Sequence, residues 1–238
     1  MWFCPTFQRP ERLAALAVSW NKCAKKKPLA VRVWKDDPRL KDYFSISWPK
    51  GWDLYVSEAE YCIEAVNEFF EQHPGQGSYG FIGDDVVLRT PWGLDKLERL
   101  AEGKFLAYPN DLIQRNRLCT HFCMGGDLAR VLGWVMPPQF KHGYTDLALF
   151  NIGINSGILR YAPEVIFDHQ HIHVGKAEMD DTYERAEMHT EPGRIAWEEY
   201  AKDELGKDVV KVLHFLHAGV EDPESWGYKD EFVRRNIA

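Results

Sequence analysis

The run Ser78-Tyr79-Gly80-Phe81-Ile82-Gly83-Asp84-Asp85-Val86-Val87-Leu88 constrains the fold more than any other stretch of the chain. Tyr79, Phe81 and Ile82 read as a short, β-prone buried strand. Asp84 and Asp85 stand where that strand runs out. In open α/β sheets, ligands gather at the carboxyl ends of strands. Two adjacent carboxylates repel each other there, unless a cation is shared between them or one is solvated. Hard oxygen ligands of this kind suit Mg²⁺ or Mn²⁺. A solvated turn after a strand accounts for Gly-Asp-Asp equally well, so the rest of the chain has to decide.

The same pattern recurs along the sequence. Trp2-Phe3-Cys4 predicts a first strand broken by Pro5. A loop over Pro5–Pro10 and a helix over Glu11–Lys22 follow, with Leu13, Leu16, Ala17 and Trp20 on one stripe. Leu29–Trp34 predicts a second strand, which ends in Lys35-Asp36-Asp37; Lys35 and Asp37 are read as solvated. Residues 39–57 hold many aromatics but no regular period. Ser57 is read as the cap of a helix over 58–72, closed by His73-Pro74-Gly75. Further helices are expected from Thr90–Gly93 to Arg99, over Leu128–Leu132 with Asp127 as N-cap and Gly133 as stop, and from Leu147 onward. Phe105–Tyr108 and Val165–Phe167 read as strands. The latter runs into Asp168-His169-Gln170-His171-Ile172-His173, whose three histidines would share one face if the chain stays extended. Helical spacing returns around Ile195–Leu205 and Val209–Leu216, before a polar tail. Strands alternating with amphipathic helices predict a single α/β domain over residues 1–238, with a mainly parallel central sheet flanked by helices.

Composition narrows the function classes. The 238 residues carry a formal charge of −7, which argues against a broad nucleic-acid-binding surface. No apolar run approaches the roughly 18 residues of a membrane span. Met1-Trp2-Phe3-Cys4 leads into Pro5 without a basic leader, and a cytoplasmic location is expected. Five scattered cysteines fit buried thiols in a reducing compartment better than a zinc site.

Several of these pieces together resemble the GT-A class of nucleotide-sugar glycosyltransferases, especially its small family-2-like members. The resemblance rests on Pro5-Thr6-x-x-Arg9-Pro10-Glu11-x-Leu13 after the first strand and Val33-x-x-Asp36-Asp37 after the second. Gly83-Asp84-Asp85 stands for the acidic metal motif, and His169-x-His171 with Gly175-Lys176 and Asp180 for the late histidine element. The usual acidic motif is Asp-x-Asp, so one carboxylate of the standard pair is displaced or absent, and both aspartates stay candidates. The resemblance implies a GT-A-like, Rossmann-like fold. It divides the chain into a nucleotide-sugar-binding half over 1–110, an acceptor and catalytic half over 111–190, and a C-terminal helical extension over 191–238.

The implied activity is metal-dependent transfer of a sugar from a nucleoside diphosphate sugar, with UDP favoured, to a hydroxyl acceptor. A glycan, a protein or a modified nucleobase would each serve as that acceptor. Mn²⁺ or Mg²⁺ is implied as cofactor, with Asp85 as first ligand and His171 or His169 as a further one; His173 is read as a surface residue. Thr6, Arg9 and Asp36 (or Asp37) are expected to meet the nucleotide, Asp84 the ribose or sugar hydroxyls or the metal through water, and Lys176 the diphosphate. An inverting transfer needs a general base. The segment from Gly125 to Asp146 is taken as the acceptor wall, and within it Asp127 and Asp146 are the only carboxylates. With Asp127 read as an N-cap, Asp146 is the candidate base. Two other readings stand beside this one: a metal-dependent nucleotidyltransferase, disfavoured for want of an early Gly-rich phosphate loop, and a non-catalytic nucleotide- or glycan-binding module.

Overall fold

A computed structural model describes residues 1–218; the last part of the expected C-terminal extension, 219–238, lies outside the described residues. The first strand, β1 (Trp2–Thr6), runs straight through Pro5, contrary to the expected break. It pairs in parallel with β2 (Leu29–Trp34) on one side and with β4 (Ser78–Phe81) on the other. Side chains alternate across the sheet: Trp2 and Cys4 enter one core, and Phe3 enters the other. Helix α1 (Pro10–Cys23) starts with Pro10 in its first turn, where the missing N–H costs nothing. It buries Leu13, Leu16 and Trp20 against one face. A short helix α2 (Leu40–Tyr43) and an edge strand β3 (Trp52–Ser57), parallel to β2, occupy the stretch where no pattern was legible.

Ser57 does not cap the next helix. Its hydroxyl accepts the Ala59 N–H, and α3 (Cys62–Gln72) begins only after Tyr61. Beyond β4 the chain forms β5 (Val86–Leu88), α4 (Gly93–Ala101), β6 (Leu106–Asn110), β7 (Phe122–Gly125), α5 (Gly126–Leu132), α6 (Thr145–Ser156) and β8 (Leu159–His169). Helices α7 (Asp181–Met188), α8 (Thr190–Asp203) and α9 (Leu205–Leu216) follow. Asp127 lies inside the first turn of α5 rather than capping it, and pairs with Arg130. Gly133 stops α5 as expected, in the left-handed conformation at φ 85°. All five cysteines are free thiols, and four are buried.

The sheet order is β3-β2-β1-β4-β7-β6-β8-β5. Four of the seven pairings are parallel; β7 runs antiparallel to both β4 and β6, and β5 pairs antiparallel with β8. The fold is thus α/β with a mainly parallel central sheet. One core holds Phe69 of α3, Leu128 of α5, Leu149 of α6 and Val209 of α9; the other holds Leu16 of α1 and Leu97 of α4. Because β1, β2, β4 and β8 point the same way, their carboxyl ends meet at one edge. That edge receives Thr6, Lys35–Asp37, Asp84–Asp85 and His169. Among the described residues no helix is long and apolar enough to cross a membrane.

Gly80 ties β4 to β1. A Cβ added there would fall within the ring of Trp2, which is fully buried. Gly80→Ala should lower stability by about 1–3 kcal/mol through overpacking, read as a lower urea midpoint. An unchanged midpoint would show that Trp2 has room to move.

Candidate functional site

The loop from β1 to α1 is shaped before it is charged. Gln8 takes the left-handed conformation at φ 55°, and the N–H groups around it are met by buried partners. Arg9 N–H donates to Tyr43 Oη at 2.9 Å, and Tyr43 donates to Asp37 at 3.2 Å. Asp37 also accepts the N–H groups of Gln8 and Arg39, each at 2.7 Å. Asp37 is therefore buried, contrary to its reading as solvated, while neighbouring Asp36 is exposed.

This loop delivers Arg9 into the acidic pair. Its side chain is only 6% exposed, with Nη1 3.3 Å from Asp84 Oδ1 and 3.9 Å from Asp85 Oδ2. Nε and Nη2 grip Asp180 through two bonds of 2.9 and 2.7 Å. Thr6 Oγ1 donates to the other oxygen of Asp84 at 2.7 Å. Asp85 has different partners: Oδ2 accepts the Tyr183 hydroxyl at 3.0 Å and lies 3.4 Å from His169 Nε2. The Tyr183 ring covers the Arg9 guanidinium at 4.0 Å. The cation shared by the two aspartates is thus an arginine of the same chain.

These contacts split the pair electrically. Burial raises Asp84 to about 6, with Arg9 opposing the shift and Asp85 reinforcing it. Burial pushes Asp85 the same way, but His169, His121 and Arg9 outweigh it and hold Asp85 well below the usual carboxylate range. Burial likewise lowers His169, yet the Asp85 contact prevails and leaves it raised.

The expected three-histidine strand face does not form. β8 ends at His169, and His171 caps a 3-10 turn over Ile172–Val174, its Nδ1 accepting the His173 N–H. The rings gather nonetheless, His169 to His171 at 5.0 Å and His171 to His173 at 4.8 Å. His121, just ahead of β7, completes the group beside His169 at 4.8 Å, and its Nδ1 accepts the Gly83 N–H. Burial and then His169 lower His121 to about 3 and His171 to about 4.

A cavity of about 370 Å³ is lined by Thr6, Arg9, Asp84, Asp85, His169 and His171, and also by Asp146. Asp146 lies in the first turn of α6, where its carboxylate accepts the Leu147 N–H, and burial raises its pKa. Asp36 and Lys176 are not among the lining residues. Lys176 is bound instead to Asp168 at 2.6 Å, which Arg89 also holds. The lysine and arginine that line the cavity beside Arg9 are Lys141, over the Tyr61 ring, and Arg185, over the Phe7 ring. Sequence reasoning assigned no role to His121, Tyr183, Lys141 or Arg185.

Among the described residues no group of three His, Cys, Asp or Glu side chains is disposed to hold a metal ion. A Mg²⁺-type ion needs no such cage when one or two carboxylates share it with substrate phosphates. The donor set fits that partial role. Asp85 stays ionised, His169 Nε2 lies 3.4 Å from it, and His121 Nε2 is buried without a partner.

No protein-family model matches the chain, and no curated protein matches it by sequence. Solved structures do match in shape. The mannosyltransferase PcManGT from Pyrobaculum calidifontis, solved with GDP-Man and Mn²⁺, superposes with TM-score 0.54 at 11% identity, over 95% of this chain and 76% of that one. TarS 1-349 from S. aureus gives 0.51 at 10% identity over 89% and 80%. A mycobacterial protein gives 0.52 at 10% identity over 93% and 75%. The fold is that of the GT-A glycosyltransferases.

Removing Arg9 would leave the buried carboxylate of Asp84 without its cation. Arg9→Gln should cost about 3–5 kcal/mol. A carboxyl whose pKa is raised on folding contributes stability below its unfolded pKa and loses it as pH rises through the folded value. Asp84 is already raised to about 6 and loses its opposing cation in the variant. The defect should therefore be larger at pH 8 than at pH 5 in urea denaturation. An equal defect at both values would show that Arg9 does not neutralise Asp84.

Proposed function

We propose that this chain is a glycosyltransferase that moves a sugar from a nucleoside diphosphate sugar, a UDP-sugar in the first instance, to a hydroxyl acceptor with the help of Mn²⁺ or Mg²⁺. The observation that carries this reading is the meeting of Arg9, Asp84, Asp85, His169 and Asp146 around one cavity at the carboxyl edge of a GT-A sheet. Transfer breaks the bond between the anomeric carbon and a phosphate oxygen, and the departing diphosphate gathers negative charge. Asp85, with His169 or His171, would hold the metal, whose chemistry is that of a Lewis acid on the phosphates.

Asp84 has a separate duty. With one oxygen bound to Thr6 and the other to Arg9, it fixes the β1–α1 loop against which the nucleotide lies. Arg185 and Lys141 are the cations available to the diphosphate from within the cavity, a role that Lys176 meets only by leaving Asp168. Asp36, at the exposed tip of β2, is assigned the nucleoside's outer rim. Trp34, whose indole N–H is buried without a partner, lines the cavity. Asp146 takes the proton of the acceptor hydroxyl, and the burial that raises its pKa makes its carboxylate a stronger base.

A donor screen by nucleotide release, with and without Mn²⁺, tests the reading. Asp85→Asn should abolish metal-stimulated release and weaken Mn²⁺ binding while the fold persists. Full wild-type release in chelator would remove the metal from the account.

Asp146→Asn should cut transfer by about 10²–10⁴-fold with donor affinity nearly unchanged. Because the base works deprotonated, wild-type transfer should rise with pH through a limb above the usual aspartate range, and the variant should lose that limb. If affinity collapses while the saturated rate survives, Asp146 belongs to the donor site.

A further inference from the structure

Asp146 faces more than one cavity. A second one, of about 350 Å³, shares His142, Asp146, His171, Tyr183 and His189 with the first, and extends from them between the start of α6 and the α7–α8 junction. Its size falls within the roughly 300–1,000 Å³ of ligand clefts. The walls that belong to it alone include Leu118, Tyr144, Leu147, His173, Glu187 and Thr190. Tyr144 has a defined seat: a Cβ added at Gly193 would press on its ring, so α8 approaches the ring through a glycine.

The lining chemistry selects a ligand class. Tyr144 and the imidazoles offer flat faces for the C–H side of a sugar ring. Glu187 accepts hydrogen bonds, and Thr190 both donates and accepts, which matches a ligand rich in hydroxyls. Among the described residues, no lysine or arginine lines this cavity. A phosphate or carboxylate entering it would give up hydration with no permanently charged cation to compensate, and would meet Glu187 and Asp146 as like charges.

We propose that this second cavity is the acceptor subsite and that the acceptor is a neutral saccharide. The proposal rests on the glycosyltransferase reading for the reaction it serves. The hydroxyl oxygen of the bound saccharide forms the new bond to the anomeric carbon. The bond from that carbon to the phosphate oxygen breaks, its electron pair leaving on the diphosphate, and the hydroxyl proton passes to the Asp146 carboxylate. An acceptor held beside Asp146 leaves the first cavity to the donor.

The test combines binding and transfer on the full chain. Saturation-transfer NMR measures binding of lactose, maltose, cellobiose and N,N′-diacetylchitobiose, against their phosphorylated or uronic counterparts. Transfer to the same panel is followed by nucleotide release. At least one neutral disaccharide should bind and accept sugar in preference to its charged counterpart. Glu187→Ala, at an exposed position that leaves the core untouched, should raise the acceptor KM by about tenfold, the scale of one hydrogen bond to a charged group, with donor KM unchanged.

Donor turnover with no neutral-saccharide binding, transfer confined to charged acceptors, or an unchanged acceptor KM in Glu187→Ala overturns the proposal and leaves the glycosyltransferase reading standing. Disaccharide binding that Glu187→Ala weakens, without turnover of any donor, supports the saccharide site and removes the glycosyltransferase reading.

Discussion

The buried guanidinium of Arg9 sets the charge balance on which the rest of the site depends. Two adjacent aspartates under a tyrosine ring would be costly in a medium where each buried ion loses several kcal/mol of hydration (roughly, after relaxation). Arg9 faces both and is itself held by Asp180 from the far end of the chain. The network therefore joins three parts of the sequence that are distant from one another: the β1–α1 loop, the end of β4 and the start of α7. The order of β1, β2 and β4 in the sheet brings two of them to the same edge, and the Arg9–Asp180 fork brings the third.

The consequence is a division of labour between two residues that the sequence presents as equals. Asp84 is tied at both oxygens and sits close to protonation, whereas Asp85 is held ionised by His169 and faces the imidazole group. Both aspartates stand in the turn after β4 and both line the cavity, but Thr6 and Arg9 take the oxygens of Asp84 while Asp85 meets Tyr183 and His169. The Asp-x-Asp spacing of the usual motif is absent here. The departure from that spacing becomes intelligible once Arg9 is seen to answer Asp84. Gly83 contributes through its N–H, which reaches His121, and through its missing side chain, since a Cβ there would press on Asp85.

Much of the fold was legible because apolar period and strand-end chemistry agreed. Leu29–Trp34 is buried on both faces and reads as a continuous run, and the α1 stripe of Leu13, Leu16 and Trp20 has helical spacing. β3 escaped because an edge strand with exposed Asp53 and Val56 carries no clean alternation. β7 escaped because four residues are too few to show a period, although all four are buried. Asp37 was misread because its burial answers N–H groups of the loop and of Arg39, which no local pattern reports. Thr6, Arg9, Asp84, Asp85, His169, His171 and Asp146 were singled out on the sequence, and the fold brings all seven to the wall of one cavity. His121 and Tyr183 had no such order: a lone histidine before a short strand and a tyrosine in a charged helix gain meaning only from their neighbours in space. Lys176 followed the motif, but the nearby Asp168 claims its charge.

Arg9 supplies the cation for Asp84, and on the proposed function this leaves Asp85 to face the donor and its metal. A crystal structure with Mn²⁺ and the nucleoside diphosphate of the donor tests this most directly. The account predicts Mn²⁺ bonded to Asp85 and the phosphates, with the Arg9 bonds to Asp84 and Asp180 intact. Mn²⁺ bridging Asp84 and Asp85 with Arg9 displaced would contradict it.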